Sequence, residues 1–391
     1  MPDSIPPTSD HAASSLASAP SMLWKTGWSL WTQRSTMYQA PVELISSLVA
    51  GRPPLDAQDW RRGLILCHGN AATVLQRTAS LPYLSRAYPD CEWHLTTCDD
   101  TDEIVSSNPC LTRTWPVMNP VSGTVPPTAE ARLRAMKFDV VLCPDALEHP
   151  DDYLLAMKLR VPTRIGFAQR THHQLVTMEV PVNYAQPEAA LFRDMVGDVT
   201  SLTPRWDLRP QIFPRPEDEM AARQLHDGLG SSRPLRIAVF PFVTTSGGVW
   251  FPQFWLRLLD LMGADGRIQP VLCGTEYERR RLHEIADRAT FNIPVVAANL
   301  NYRVLAAFLR GCSARIGPDS PSRHIATAMS VPTLYFRNMS VSWAESAVYC
   351  GGEQSLIPDD EERLTPMEQI RVLERVKPEA VFAEILQVLP E

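Results

Sequence analysis

The chain has 391 residues, enough for two domains of roughly 150–200 residues each. Hydrophobic residues make up 45% and charged residues 21%, the balance of an ordinary globular protein. A formal net charge of −7 and four scattered lysines (Lys25, Lys137, Lys158, Lys377) exclude a basic field for nucleic acid, and no apolar run reaches the ~18 residues of a spanning helix.

Residues 1–22 are rich in Ser, Ala and Pro and lack both a basic start and an apolar core. They read as a disordered tail rather than a signal peptide, which predicts a cytoplasmic chain whose eight cysteines stay reduced. No close C-x-x-C pair is present, and Cys91, His94 and Cys98 have no second ligand pair at zinc spacing, so no metal site is expected. Trp24, Trp28 and Trp31 then fall on one helical face. Such a face suits packing on its own domain, and also docking on a partner enzyme or the inner membrane.

After the Gly51–Pro54 break, Gly63–Cys67 reads as a buried parallel strand ending in His68-Gly69-Asn70. A helix is predicted over Ala71–Tyr88 and strands over Trp93–Thr97, Phe138–Cys143 and Arg164–Phe167, with a helix over Asp151–Leu159. A Pro-rich stretch from Leu202 to Pro234 reads as the connection between domains. The alternation then restarts: strands over Leu235–Phe240, Gln269–Cys273, Ile293–Val296, Ser313–Ile316 and Thr333–Phe336 alternate with helices beginning near Phe251, Glu276, Tyr302 and His324. A last helical pattern runs from Thr365 to Val388, interrupted near Pro378. The reading is α/β, with two doubly wound Rossmann-like units facing a cleft. Domains are placed at 23–205 and 206–391.

Ligands of open parallel sheets bind beyond the carboxyl ends of the strands. Three loops of the second unit lie there: Thr244-Thr245-Ser246-Gly247-Gly248, Gly274-Thr275-Glu276, and Gly317–His324, which contains Asp319 and Ser320. Hydroxyls and small residues before a helix let backbone N–H groups approach phosphate, and Glu276 could accept ribose hydroxyls. Taken singly, each is equally a plain loop, a helix cap or, for His324, a core histidine.

In order and placement, these loops resemble the donor domain of the lipopolysaccharide heptosyltransferase family, glycosyltransferase family 9. Its Asp-Ser/Thr-Gly-x-x-His-x-Ala-Ala segment stands here as Asp319–Ala328, and the resemblance covers roughly residues 60–350. It implies the GT-B fold and metal-independent, inverting transfer of a sugar, a heptose by family habit. The sugar would pass from a nucleotide diphosphate to a saccharide or glycolipid of the cell envelope, with no cofactor. Thr244, Thr245, Ser246, Gly274, Glu276, Asp319, Ser320 and His324 would then bind the donor.

Three positions depart from the family. Its catalytic Asp is replaced by Thr73 or Asn70, depending on the alignment, and neither is a useful base. Its phosphate-binding Lys is Gly248, and its loop glycine is Pro321, which has no N–H to donate. His68, at the end of the first strand, is the candidate replacement base, with Asp100 of the acidic Asp99–Asp102 loop as a second. The alternatives are a catalytically retired relative that binds nucleotide or glycan as a scaffold, and a nucleotide-sugar epimerase of similar architecture.

Overall fold

The computed structural model describes residues 59–67, 69–119, 124–144, 151–168, 175–183, 186–200, 208–230, 233–242, 250–339, 341, 346–357 and 364–390. The predicted tail, the Trp24/Trp28/Trp31 face, His68, Thr244, Thr245, Ser246 and Gly248 lie outside them.

The first sheet contains β1 (Arg62–Leu66), β2 (Glu92–Thr97), β3 (Arg113–Pro116), β4 (Val140–Cys143), β5 (Thr163–Phe167) and β6 (Met178–Val180). Its order is β3-β2-β1-β4-β5-β6 and every pairing is parallel. Between the strands run α1 (Ala71–Thr78), α2 (Leu81–Ala87), α3 (Asp102–Val105), α4 (Pro127–Ala135) and α5 (Asp151–Lys158). The central strands are buried on both faces, as the continuous apolar run at Val140–Cys143 requires.

The predicted single helix over Ala71–Tyr88 is two helices. Pro82 has no N–H for an interior turn, so it sits in the first turn of α2 and α1 ends before it.

From β6 the chain passes into α6 (Glu188–Thr200), which packs on α1 and α2, and then into α7 (Pro216–Gly228). The stretch read as a plain connection thus contains a 13-residue helix. Pro216 begins it rather than breaking it, and Glu217, Asp218 and Glu219 fill its first turn, where the helix dipole favours carboxylates.

The second sheet repeats the first. It contains β7 (Leu235–Val239), β8 (Ile268–Gly274), β9 (Val295–Ala297), β10 (Ala314–Pro318), β11 (Thr333–Phe336) and β12 (Glu353–Ser355), in the order β12-β11-β10-β7-β8-β9 and all parallel. Its helices are α8 (Pro252–Ala264), α9 (Arg279–Ala286), α10 (Tyr302–Arg310), α11 (Pro321–Ala328), α12 (Pro366–Arg375) and α13 (Pro378–Val388). In α8, Trp255, Leu258, Leu259 and Met262 recur at i, i+3, i+4 and i+7 and form the buried stripe against the sheet.

In both sheets the order reverses between the first and fourth strands, β1/β4 and β7/β10. This switch point is where open α/β sheets leave a crevice for ligands.

Candidate nucleotide-sugar site

The β10–α11 turn lies at the switch point of the second sheet. Gly317 is required there by close approach: a Cβ on it would lie 2.4 Å from the Phe240 carbonyl oxygen at the end of β7. β10 then delivers Pro318, Asp319 and Ser320, and Pro321 starts α11 in the first-turn position where a missing N–H costs nothing.

Two buried arginines hold this turn from below. Arg315, fully buried in β10, donates to the carbonyls of Gly317 (3.2 Å) and Pro318 (2.7 Å) and to the hydroxyls of Ser320 (3.1 Å) and Ser322 (2.8 Å). Burial pushes its pKa down to about 9, so it stays charged at neutral pH. The two serine hydroxyls lie 2.9 Å apart. Because Arg315 donates to both oxygens, one serine proton serves the pair and the other remains to be offered outward.

Arg323 donates to Asp319 Oδ1 at 3.0 Å and makes a two-pronged pair with Glu353, at 3.1 and 2.9 Å. Its guanidinium lies 3.6 Å from the centre of the Tyr335 ring. Burial would weaken its hold on the proton, but Asp319 and Glu353 more than reverse this. The second oxygen of Asp319 accepts from the Ser346 hydroxyl. Burial alone would raise the Asp319 pKa, yet Arg323, His324 and Ser346 keep it below the ordinary carboxylate value. Asp319 is therefore a clamp on the turn, its charge met by Arg323, rather than a group aimed at a phosphate.

His324 is 3% exposed. Its Nδ1 lies 2.6 Å from the Tyr349 hydroxyl, the rings stack with centroids 5.5 Å apart, and Nε2 is 3.7 Å from Asp319 Oδ1. Burial, then the Arg323 charge, lowers its pKa to about 4, so the ring is neutral at pH 7. Tyr349 keeps its proton, since burial and then Glu353 raise its pKa well above the ordinary value. Donation from Tyr349 to Nδ1 fixes the tautomer with the proton on Nε2.

Of the sequence-predicted donor residues, the structure thus brings Asp319, Ser320 and His324 into one network. Gly274 and Glu276 lie at the end of β8, next to β7. Glu276 is ionised and exposed, held by Arg279 at 2.7 and 2.5 Å, and Arg279 also donates to the Ala297 carbonyl at 2.5 Å. Glu278 caps the turn through the N–H (2.8 Å) and hydroxyl (3.0 Å) of Thr275.

In the first sheet, Gly69 takes the left-handed φ of +121° that turns the chain from β1 into α1. Asn70 caps that helix, accepting from the N–H groups of Ala72 (2.9 Å) and Thr73 (3.2 Å). Asp100 is exposed beyond β2, and its charge is felt at Tyr302. A cavity of about 410 Å³ lined by Arg61, Arg62, Asp90, Glu92, Lys137 and Asp139 opens at the opposite, amino ends of β1, β2 and β4, away from these loops.

Sequence reasoning missed Arg315, Arg323, Ser346, Tyr349 and Glu353. Arg315 left a signal, an arginine inside an otherwise apolar strand. Ser346 and Tyr349 come from the loop beyond β11 and Glu353 from the three-residue β12, and these left none.

The sequence model of glycosyltransferase family 9 (heptosyltransferase) matches residues 130–339, just over half of the chain. No curated protein sequence matches. The structure is similar to that of a family 9 glycosyl transferase from Veillonella parvula DSM 2008, at TM-score 0.70 and 14% identity over 85% of this chain and 98% of that one. It is similar to the E. coli ADP-heptose lps heptosyltransferase II at TM-score 0.66 and 15% identity, covering 84% and 98%. With E. coli heptosyltransferase WaaC bound to ADP-2-deoxy-2-fluoro heptose, the TM-score is 0.63 at 16% identity, covering 83% and 99%. The fold is GT-B.

Proposed function

Glycosyltransferase family 9 is the family to which this chain belongs, and on that footing we propose that it moves a heptose from a nucleoside diphosphate to a hydroxyl of a cell-envelope saccharide, with inversion and without a metal. The observation that carries this reading is the β10–α11 turn. Its buried charges are two guanidiniums against two carboxylates, and it presents to the switch point a serine hydroxyl and the amino end of α11, with the neutral His324 imidazole buried behind them. Neutral donors and a helix N-terminus suit a diphosphate, whose leaving-group charge they stabilise as it develops. Arg315 lends that turn the cationic support that Gly248 does not.

Glu276 is the acceptor for the nucleoside's ribose hydroxyls, and Thr244, Thr245 and Ser246 complete the phosphate loop. The similar E. coli proteins are described with ADP-heptose and an ADP-heptose analogue, which makes an ADP-linked heptose the first donor to test. Among the described residues no helix is long and apolar enough to cross a membrane. The acceptor glycolipid would be met at the inner membrane surface, for which the Trp24/Trp28/Trp31 face is suited.

A second reading, a relative that binds nucleotide without turnover, is favoured by Asn70, whose amide oxygen is committed to capping α1 and offers no base. Calorimetric titration with ADP-heptose in the presence of EDTA, followed by mass spectrometry of a core-truncated lipopolysaccharide acceptor, separates the two. Binding with a heptose added to the acceptor is the expected result. Binding with an unmodified acceptor would favour the second reading, and absence of binding would sink both.

A further inference from the structure

The described part of the β1–α1 turn holds no base of its own, yet a carboxylate reaches it from elsewhere in the chain. Thr73 stands against Gly69, where an added Cβ would lie 3.2 Å from its methyl carbon, so Thr73 lines the turn. Its hydroxyl donates to Glu188 Oε2 at 3.1 Å, across 115 residues of sequence. Arg77, one helical turn further along α1, donates to Oε1 of the same carboxylate. Gln76 accepts from the N–H of Ala189 at 3.2 Å. The start of α6 is therefore fastened to α1 by three side chains. Arg77 lies beneath with its side chain 2% exposed, while the side chain of Glu188 is one-third exposed.

Two residues at the start of α6 also reach the donor side. Ala189 and Ala190 pack with Leu208 against Tyr349, the residue that orients His324. Residues 188–190 thus touch the β1–α1 turn through a carboxylate and the donor turn's tyrosine through methyl groups.

We propose that Glu188 is the general base of the transfer, taking the place of the family's aspartate, whose position is held here by Thr73 or Asn70 according to the alignment. This assignment rests on the transferase reading above. In the step, the acceptor hydroxyl oxygen bonds to the anomeric carbon as the bond from that carbon to the phosphate oxygen breaks. The nucleoside diphosphate leaves with the electron pair, and the hydroxyl proton passes to Glu188. The bonds from Thr73 and Arg77 hold the carboxylate in one orientation, and a third of the side chain is exposed beside the turn that Thr73 lines.

The test measures heptose transfer from ADP-heptose to core-truncated lipopolysaccharide, alongside ADP binding by calorimetry. Glu188→Gln is expected to lower kcat about 10²- to 10⁴-fold, the usual share of a general base, with the ADP Kd changed less than about threefold. Because Glu188→Gln leaves the buried Arg77 without its carboxylate, the pair Arg77→Met/Glu188→Gln is measured beside it and is expected to show the same loss of kcat with ADP binding retained. Formate added to Glu188→Ala is expected to restore part of the turnover, which a purely structural role would not produce.

Turnover of Glu188→Gln within threefold of the unaltered protein would overturn the assignment and leave the transferase reading standing. So would ADP binding lost in step with turnover in both variants. An unaltered chain that neither binds ADP nor transfers sugar would overturn the transferase reading and this assignment with it, before any substitution is made.

Discussion

At His324, burial and a neighbouring guanidinium act in the same direction, and the pKa falls to about 4 although Asp319 lies 3.7 Å away. Between that value and the ~6.5 of an unfolded histidine, the unfolded chain binds a proton that the folded chain refuses. The stability contributed by neutral His324 is thus complete above pH ~6.5 and is lost as pH falls towards 4, by about 3 kcal/mol in all. Urea denaturation at pH 7 and pH 4.5 should show the unaltered protein losing more stability than His324→Gln by about 2–3 kcal/mol. Equal losses would place the acid sensitivity elsewhere. The histidine itself was legible, because Asp319, Ser320 and His324 follow a strand in a fixed order. Its low pKa was not, since the enclosing Arg323, Tyr349 and Glu353 meet only when α11, the loop after β11 and β12 come together. Glu188 was hidden for the same reason: its partners Thr73 and Arg77 lie on α1, far back in the chain.

The elements of the second sheet were the most readable. The helix Tyr302–Arg310 begins at its expected residue and the strand Thr333–Phe336 has its expected ends, because an apolar stripe and a short buried run respectively leave little room for another register. β3 and β6 were missed: both are sheet neighbours of a single strand, four and three residues long and partly exposed, too short and too polar for periodicity to register. The apolar spacing of α6, with Ala189, Phe192, Val196 and Val199 buried, is helical, but it lies inside a segment that the reading passed over. Placing the β10–α11 turn depends on one contact between strands. Phe240 N–H donates to the Ile316 carbonyl at 2.8 Å, and Gly317 then passes so close to the Phe240 carbonyl that no side chain fits. Since the obstacle is backbone, Gly317→Ala must push β7 and β10 apart. A cost of about 1–3 kcal/mol is expected, with weaker ADP binding as the serine hydroxyls shift. Gly266→Ala, where no atom lies within 4 Å, is the control and should stay within about 0.5 kcal/mol of the unaltered protein. Thermal unfolding and ADP titration of both variants decide it, and a Gly317→Ala protein that matches the control would refute the steric account.

Among the described residues, the two sheets are not independent bodies. One buried apolar cluster includes Ile65 and Leu142 of the first sheet together with Ala238, Val271, Phe308 and Ile325 of the second half. A polar seam reinforces it. Glu103 of α3 accepts from the N–H of Tyr302 at 2.6 Å, satisfying one of the unpaired donors at the start of α10. Arg303 donates to the Glu103 carbonyl at 2.8 Å and pairs with Asp218 of α7 at 2.9 Å. Burial would raise the pKa of Asp218, but the N–H of Arg215 and the guanidinium of Arg303 hold it below its ordinary value. Such a shared core predicts that both sheets unfold in one transition. Removing Arg303 leaves Asp218, 3% exposed, without its cation, at a cost of about 3 kcal/mol for a broken buried pair. Hydrogen exchange followed by mass spectrometry across a urea series resolves the two sheets within one sample. Peptides covering β1 and β10 should open at the same urea concentration, and Arg303→Ala should lower that concentration equally for both. If β1 opened ahead of β10 in the unaltered protein, the seam would be a contact between two separately folding halves, and the position of Glu188 relative to the donor turn would depend on how those halves meet.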